Sequence, residues 1–228
     1  GRHGAPEANP IFGWAVISTV FTLVGVLQRA PFMVLTLIAA AAAIAGLIIA
    51  RRRGQALFAP GMWRVLVIGL PIFLIAGAME PSQWDEFSHW LPAPNYLLEM
   101  NGFPNAEKPD NGAQMLPAYP YGWPILSYLA GRIAGYQLLN IGGILNMAML
   151  LTFTPFALRT VMDVIGRPMG PTIGWGLAAV CGLAATILNP TFVQKIVLTA
   201  YSGVSTSVVT GFCALLTFHF LQSLGGRN

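Results

Sequence analysis

Residues 31–50 run for twenty positions without a charged side chain and end on Arg51-Arg52-Arg53. A helix needs about 20 mostly apolar residues to cross the hydrocarbon core of a bilayer. A basic cluster at its edge marks the cytoplasmic side. Comparable runs lie near residues 11–28, 65–79, 137–158, 171–188 and 196–221, so the expected architecture has about six spans. Only 9% of the chain is charged, against roughly 25% in soluble domains. The fold class expected is therefore an all-α integral membrane protein. The chain opens at Gly1 rather than Met, as a processed chain or a piece of a longer one does. The first apolar run is read as an anchor rather than a cleaved signal, because further spans follow it.

Charge is segregated by sign. Six of the eight acids, Glu80, Asp85, Glu86, Glu99, Glu107 and Asp110, fall between residues 80 and 122, against one lysine, Lys108. Three segments follow: an N-terminal membrane segment of three helices (1–79), an outer acidic-aromatic loop with short juxtamembrane helices (80–136), and a C-terminal membrane segment of three helices (137–228). Residues 123–135 are short for a span and carry Arg132, so they either cross or lie in the interface. Positive-inside bookkeeping favours the interface, and both versions put the N-terminus in the cytoplasm and the acidic loop outside. A bacterial inner membrane is the expected location. The net charge of +4 belongs to this topology pattern, and no basic patch interleaved with aromatics is present, so nucleic acid is not an expected partner. Cys181 and Cys213 each sit in apolar runs, with no disulfide framework or CxxC site.

The densest chemistry is Trp84-Asp85-Glu86-Phe87-Ser88-His89-Trp90, directly after the third apolar run. Ser82 is a plausible N-cap for a short helix over residues 83–91, ended by Pro92 and Pro94. On such a helix Asp85 and His89 are four apart and share a face, and Trp84, Phe87 and Leu91 form an apolar stripe for the headgroup region. The same residues also have a plainer reading. Ser82-x-x-Asp85 has the form of a capping box, the tryptophans suit an aromatic belt, and His89 can simply partner Asp85. A cap needs one carboxylate, however, and calls for no histidine one turn on.

A second cluster, Leu116-Pro117-Ala118-Tyr119-Pro120-Tyr121-Gly122-Trp123-Pro124, makes a stiff aromatic approach to the next apolar segment. It reads equally as an interfacial belt and as a wall for a sugar or lipid headgroup, since the same rings serve both.

Together, Trp-Asp-Glu-Phe-Ser-His-Trp after a span and, some thirty residues on, Tyr119-Pro120-Tyr121-Gly122 followed by Ile125-Leu126-Ser127-Tyr128 resemble the GT-C superfamily of membrane glycosyltransferases, whose relatives include protein mannosyltransferases and aminoarabinose transferases of lipid A. The resemblance covers roughly residues 65–160. It implies transfer of a sugar from a polyprenyl-phosphate lipid to an acceptor at the outer face, by a whole enzyme or the N-terminal part of one. It assigns catalysis to Asp85, carried over from the acidic residue of the first outer loop, with Glu86 as its understudy. Substrate contacts fall to Trp84, His89, Trp90, Tyr119, Tyr121 and Arg132, with Lys108 a second outer cation for the carrier phosphate. No cofactor is identified; a divalent cation on Glu86 is conceivable because carboxylates are hard-cation ligands, but one adjacent pair is too few ligands for a metal site.

Two other classes compete. A non-catalytic accessory subunit would use small-residue surfaces such as residues 39–43 and Gly142-Gly143 to meet other membrane subunits and lipids. His219, in an apolar run, is its feature of interest as a ligand for a haem-type metal, although a lone histidine at a helix end more often makes an ordinary hydrogen bond. A transporter would place charges near the bilayer midplane, and these runs hold almost none.

Overall fold

The computed structural model describes residues 6–27, 30–110, 112, 120–167, 169–170, 172–188 and 198–225. Among them all regular structure is helical. Eight α-helices follow in order: α1 (Asn9–Val26), α2 (Phe32–Arg52), α3 (Met62–Ala78), α4 (Pro92–Met100), α5 (Gly122–Ala134), α6 (Ile141–Val164), α7 (Trp175–Ala185) and α8 (Gly203–Gly225). A 3-10 turn, Pro6–Ala8, leads into α1, and a π-helical turn, Glu86–Trp90, precedes α4.

Four of these helices are long and apolar enough to cross a membrane: α1 with its leading turn, α2, α6 and α8. At 1.5 Å per residue, the 21 residues of α2 reach about 32 Å, the thickness of a hydrocarbon core. Pro31, in extended conformation, starts α2, and Arg51 and Arg52 complete its last turn, where cations favour the helix dipole. The expected third and fifth spans are shorter helices, α3 with 17 residues and α7 with 11. α3 is slightly longer than the expected 65–79 run, whereas α7 falls short of the expected 171–188. The segment entering α3 contains Pro60 and Gly61, and α7 starts only at Trp175, after Gly170 and Gly174. The segment left ambiguous by its length is α5, whose 13 residues span only about 20 Å.

The bundle is organised around α6. More than half of its span (56%) is buried inside the protein, against 11% for α2, which therefore leaves most of its surface for lipid or partners. α3 runs antiparallel to α6: Asn140 beside the α6 start donates to the Gly77 carbonyl, and Gly69 faces Leu151. α8 runs parallel to α6, since Asn146 reaches Tyr201 just before α8 and Thr160 meets His219 near its far end. Met62, Val65, Met147, Leu151 and Cys181 form one core cluster between α3, α6 and α7. Where α3 begins, the Arg64 guanidinium lies over the rings of Trp63 and Trp175 and donates to the Ile173 carbonyl.

A second body of packing surrounds α1. Phe21, Phe32, Leu35, Tyr96, Leu97, Ile125 and Tyr128 bring α1, α2, α4 and α5 together. At the opposite end of α1, the Glu7 carboxylate is paired with Arg159 of α6 at 3.1 Å. That buried pair ties the start of the first helix to the end of the central one. Gly142 and Gly143 pack as a small-residue surface, as their spacing suggests. A Cβ on Gly142 would lie 2.6 Å from the Ala200 Cα, and one on Gly143 would strike the Leu198 carbonyl. Residues 40–43, in contrast, are exposed, with Ala42 and Ala43 on the wall of an apolar groove between α1 and α2.

Candidate functional site

The site grows from the backbone between α3 and α4. Pro81 and Ser82 end the extended exit from α3, and the chain then closes a π-helical turn in which the Leu91 N–H donates to the Glu86 carbonyl five residues back, at 2.9 Å. The wider turn redistributes the side chains. In a regular α-helix Asp85 and His89 would share one exposed face. Here Asp85 is exposed and His89 is buried, with its ring 4.7 Å from that of Trp90. The expected apolar stripe also divides. Trp84 (72% exposed) and Phe87 point outward, while Trp90 and Leu91 turn inward onto the core.

The two carboxylates have different environments. Glu86 is 2% exposed. Its Oε2 accepts the backbone N–H groups of Ser82 and Gln83 at 2.9 and 3.1 Å, and its Oε1 accepts that of Ala200 at 2.9 Å. Glu86, rather than Asp85, therefore satisfies the amides at the start of the turn. Its oxygens are committed to backbone donors, which distinguishes it from a solvent-facing base or a cation ligand. Asp85 is exposed, and its electrostatic partner is one the sequence did not suggest: the Tyr201 phenol, presented by the segment that Glu86 binds through Ala200. Burial, followed by the charges of Asp85 and Glu86, pushes the Tyr201 phenol above its usual range. His89 is held below the usual histidine range by burial, partly offset by Asp85. Neutral His89 and neutral Tyr201 thus flank one exposed carboxylate.

The strand of chain at residues 198–201 completes this arrangement. Ala200 is held through both backbone groups, its N–H by Glu86 and its carbonyl by the Trp123 indole at 3.0 Å. Asn146, buried on α6, donates to the carbonyls of Thr199 and Tyr201 at 3.0 and 2.7 Å. Trp123 in turn packs edge-on against Trp14 of α1 with centroids 5.6 Å apart. The apolar and aromatic signals around residues 84–90 and 121–123 were visible in the sequence. Asn146 was visible as a polar residue suited to joining helices, and it does so. Tyr201 carried no signal, because its role depends on a contact across 116 positions.

The other expected binding residues are placed as follows. Tyr119 lies outside the described residues. Tyr121 is partly buried, with its ring 4.6 Å from that of Phe103. Arg132 donates to the Leu98 carbonyl at 2.6 Å and stands over the Tyr128 ring, while Lys108 donates to the Met100 carbonyl at 2.8 Å. Both cations thus satisfy carbonyls in the last turn of α4, groups that lack helical partners. His219 hydrogen-bonds Thr160 at 2.9 Å, the ordinary helix-joining role.

An open cleft of about 480 Å³ runs between the end of α3 and the start of α6, with Glu80, Tyr136, Leu139, Asn140 and Ile144 on its walls, and neither Asp85 nor Glu86 lines it. Its size falls within the range of small-molecule sites. Among the described residues no three His, Cys, Asp or Glu side chains converge as a metal centre would require. Comparisons with protein-family models, with curated proteins and with solved structures found no match.

Proposed function

We propose that this protein is a membrane glycosyltransferase of the GT-C type, or the N-terminal part of one, which moves a sugar from a polyprenyl-phosphate carrier to an acceptor hydroxyl. The observation that carries the reading is the exposed Asp85 carboxylate on a backbone fixed by Glu86, next to the Trp84 ring and the Tyr201 phenol. An acceptor oxygen attacks the anomeric carbon, its proton passes to Asp85, and the bond from that carbon to the phosphate oxygen breaks as the carrier phosphate leaves. General-base assistance of this kind is worth about 10²–10⁴-fold. Trp84 and Tyr121 offer ring faces for the sugar. His89 and Trp90 act from behind, by shaping the turn. The remaining N–H groups of Arg132 are those available to the phosphate. Topologically the reading has α3 and α7 complete six spans, in a bacterial inner membrane, with the N-terminus cytoplasmic and residues 80–136 outside.

The test is transfer of labelled sugar from a polyprenyl-phosphate donor in membranes carrying the protein. Asp85→Asn should lower transfer at least about a hundredfold. Intact transfer in both Asp85→Asn and Glu86→Gln would sink the reading. The accessory-subunit reading is favoured by one specific observation, the exposed residues 40–43 on the little-buried α2. It expects a second membrane subunit to co-purify in mild detergent.

A further inference from the structure

We infer that Tyr201 is a positioning residue for Asp85, brought into place by the bond between Glu86 and the Ala200 amide. The inference rests on the transferase reading for its kinetic consequence, but its geometry stands independently. Two neighbouring pairs dock as one unit: Glu86 accepts the N–H of Ala200, and the adjacent Asp85 meets the adjacent Tyr201. The segment that presents Tyr201 has little room to shift. Asn146 bonds the carbonyls on either side of Ala200, Trp123 bonds the Ala200 carbonyl, and Gly142 lets the segment lie directly on α6. A buried carboxylate with three amide partners is a strong anchor, because charge-assisted hydrogen bonds are among the strongest available. One carboxylate therefore orders the backbone while its neighbour remains accessible. Asp85 stays exposed on the turn that this anchor fixes, with the side chain of Tyr201 as its neighbour. The charged and titratable groups around the phenol are Asp85 and Glu86 at the π-helical turn, with His89 next to Asp85.

The experiment places 3-fluorotyrosine at position 201 of the full chain in lipid nanodiscs and follows its fluorine resonance against pH. The phenol should titrate above free fluorotyrosine. Asp85→Asn should lower the midpoint by about one pH unit, the scale of a neighbouring charge. Glu86→Gln should lower it too, and Glu99→Gln should leave it unchanged. A midpoint that ignores Asp85→Asn overturns the inference. In the transfer assay, Tyr201→Phe should reduce kcat about tenfold, the scale of one hydrogen bond to a charged group, with KM within about twofold of the parent. An unchanged kcat in an active protein would overturn the positioning role. Absence of any sugar transfer by the parent protein would count against the transferase reading alone, since the fluorine titration still decides the pairing.

Discussion

The Glu86 carboxylate accepts the backbone N–H of Ala200 across 114 residues of chain, at 2.9 Å. This bond explains why two adjacent acids differ so sharply. Glu86 points inward, where three amides replace water as its solvating partners, and Asp85 points outward beside Tyr201. Burying a carboxylate is costly unless it is hydrogen-bonded, and here the compensation comes entirely from backbone donors. Such donors cannot be supplied or removed by changes in neighbouring side chains.

Removing the Glu86 carboxylate should therefore unpin both the π-helical turn and the 198–201 segment. Glu86→Ala strands the Ala200 N–H in a buried site and should cost about 2–4 kcal/mol. Glu86→Gln keeps one acceptor oxygen and should cost less. Thermal unfolding in detergent, read by retained monomer on size exclusion, checks the order. Equal stability of Glu86→Ala and the parent would show that the bond is not made.

The buried pair Glu7–Arg159 provides a second test, at the other end of the bundle. The Glu7 side chain is 1% exposed and Arg159 only partly exposed. Removing the cation alone leaves a buried carboxylate uncompensated, so Arg159→Met should destabilise by about 3–5 kcal/mol. The double variant Glu7→Gln/Arg159→Met should recover most of that loss, because a neutral pair removes the uncompensated charge. Double-mutant additivity would show that the two groups do not interact.

These two contacts also mark what the sequence could and could not reveal. The helical class, the long spans at α1, α2, α6 and α8, and the acidic-aromatic turn after α3 follow from local pattern. Apolar length and charge placement act within twenty residues of chain. The roles of Glu7 and Tyr201, and the division of labour between Asp85 and Glu86, follow from contacts more than a hundred residues apart. No local pattern carries that information. The π-helical turn is a similar case. Helical spacing puts Asp85 and His89 on one face, but the bond from Leu91 to Glu86 widens the turn and buries the histidine.

Tight backbone approach at the start of α6 predicts a position-specific glycine effect. Gly143→Ala would drive a methyl group into the Leu198 carbonyl, while Gly13→Ala on α1 meets nothing within 4 Å. The first should cost about 1–3 kcal/mol through overpacking, and the second should be neutral or slightly stabilising, given the helix propensity of alanine. Melting temperatures of the two variants in the same detergent separate the outcomes. A neutral Gly143→Ala would mean that the 198–201 segment does not lie against α6.

Acid sensitivity should trace to His89. Burial lowers its folded pKa below the usual histidine range, and Asp85 offsets only part of that shift. Its stability contribution is therefore fully present above the unfolded pKa. As pH falls below about 6.5, the unfolded chain binds a proton that the folded site resists, and stability drops until the pH passes the folded pKa. His89→Asn removes this titration, so its melting temperature should vary less than the parent's between pH 7.5 and 5. Asp85→Asn should steepen the parent's decline, because the charge that favours protonated His89 is gone. A parent and a His89→Asn variant with parallel pH profiles would place the histidine in water rather than behind Trp90.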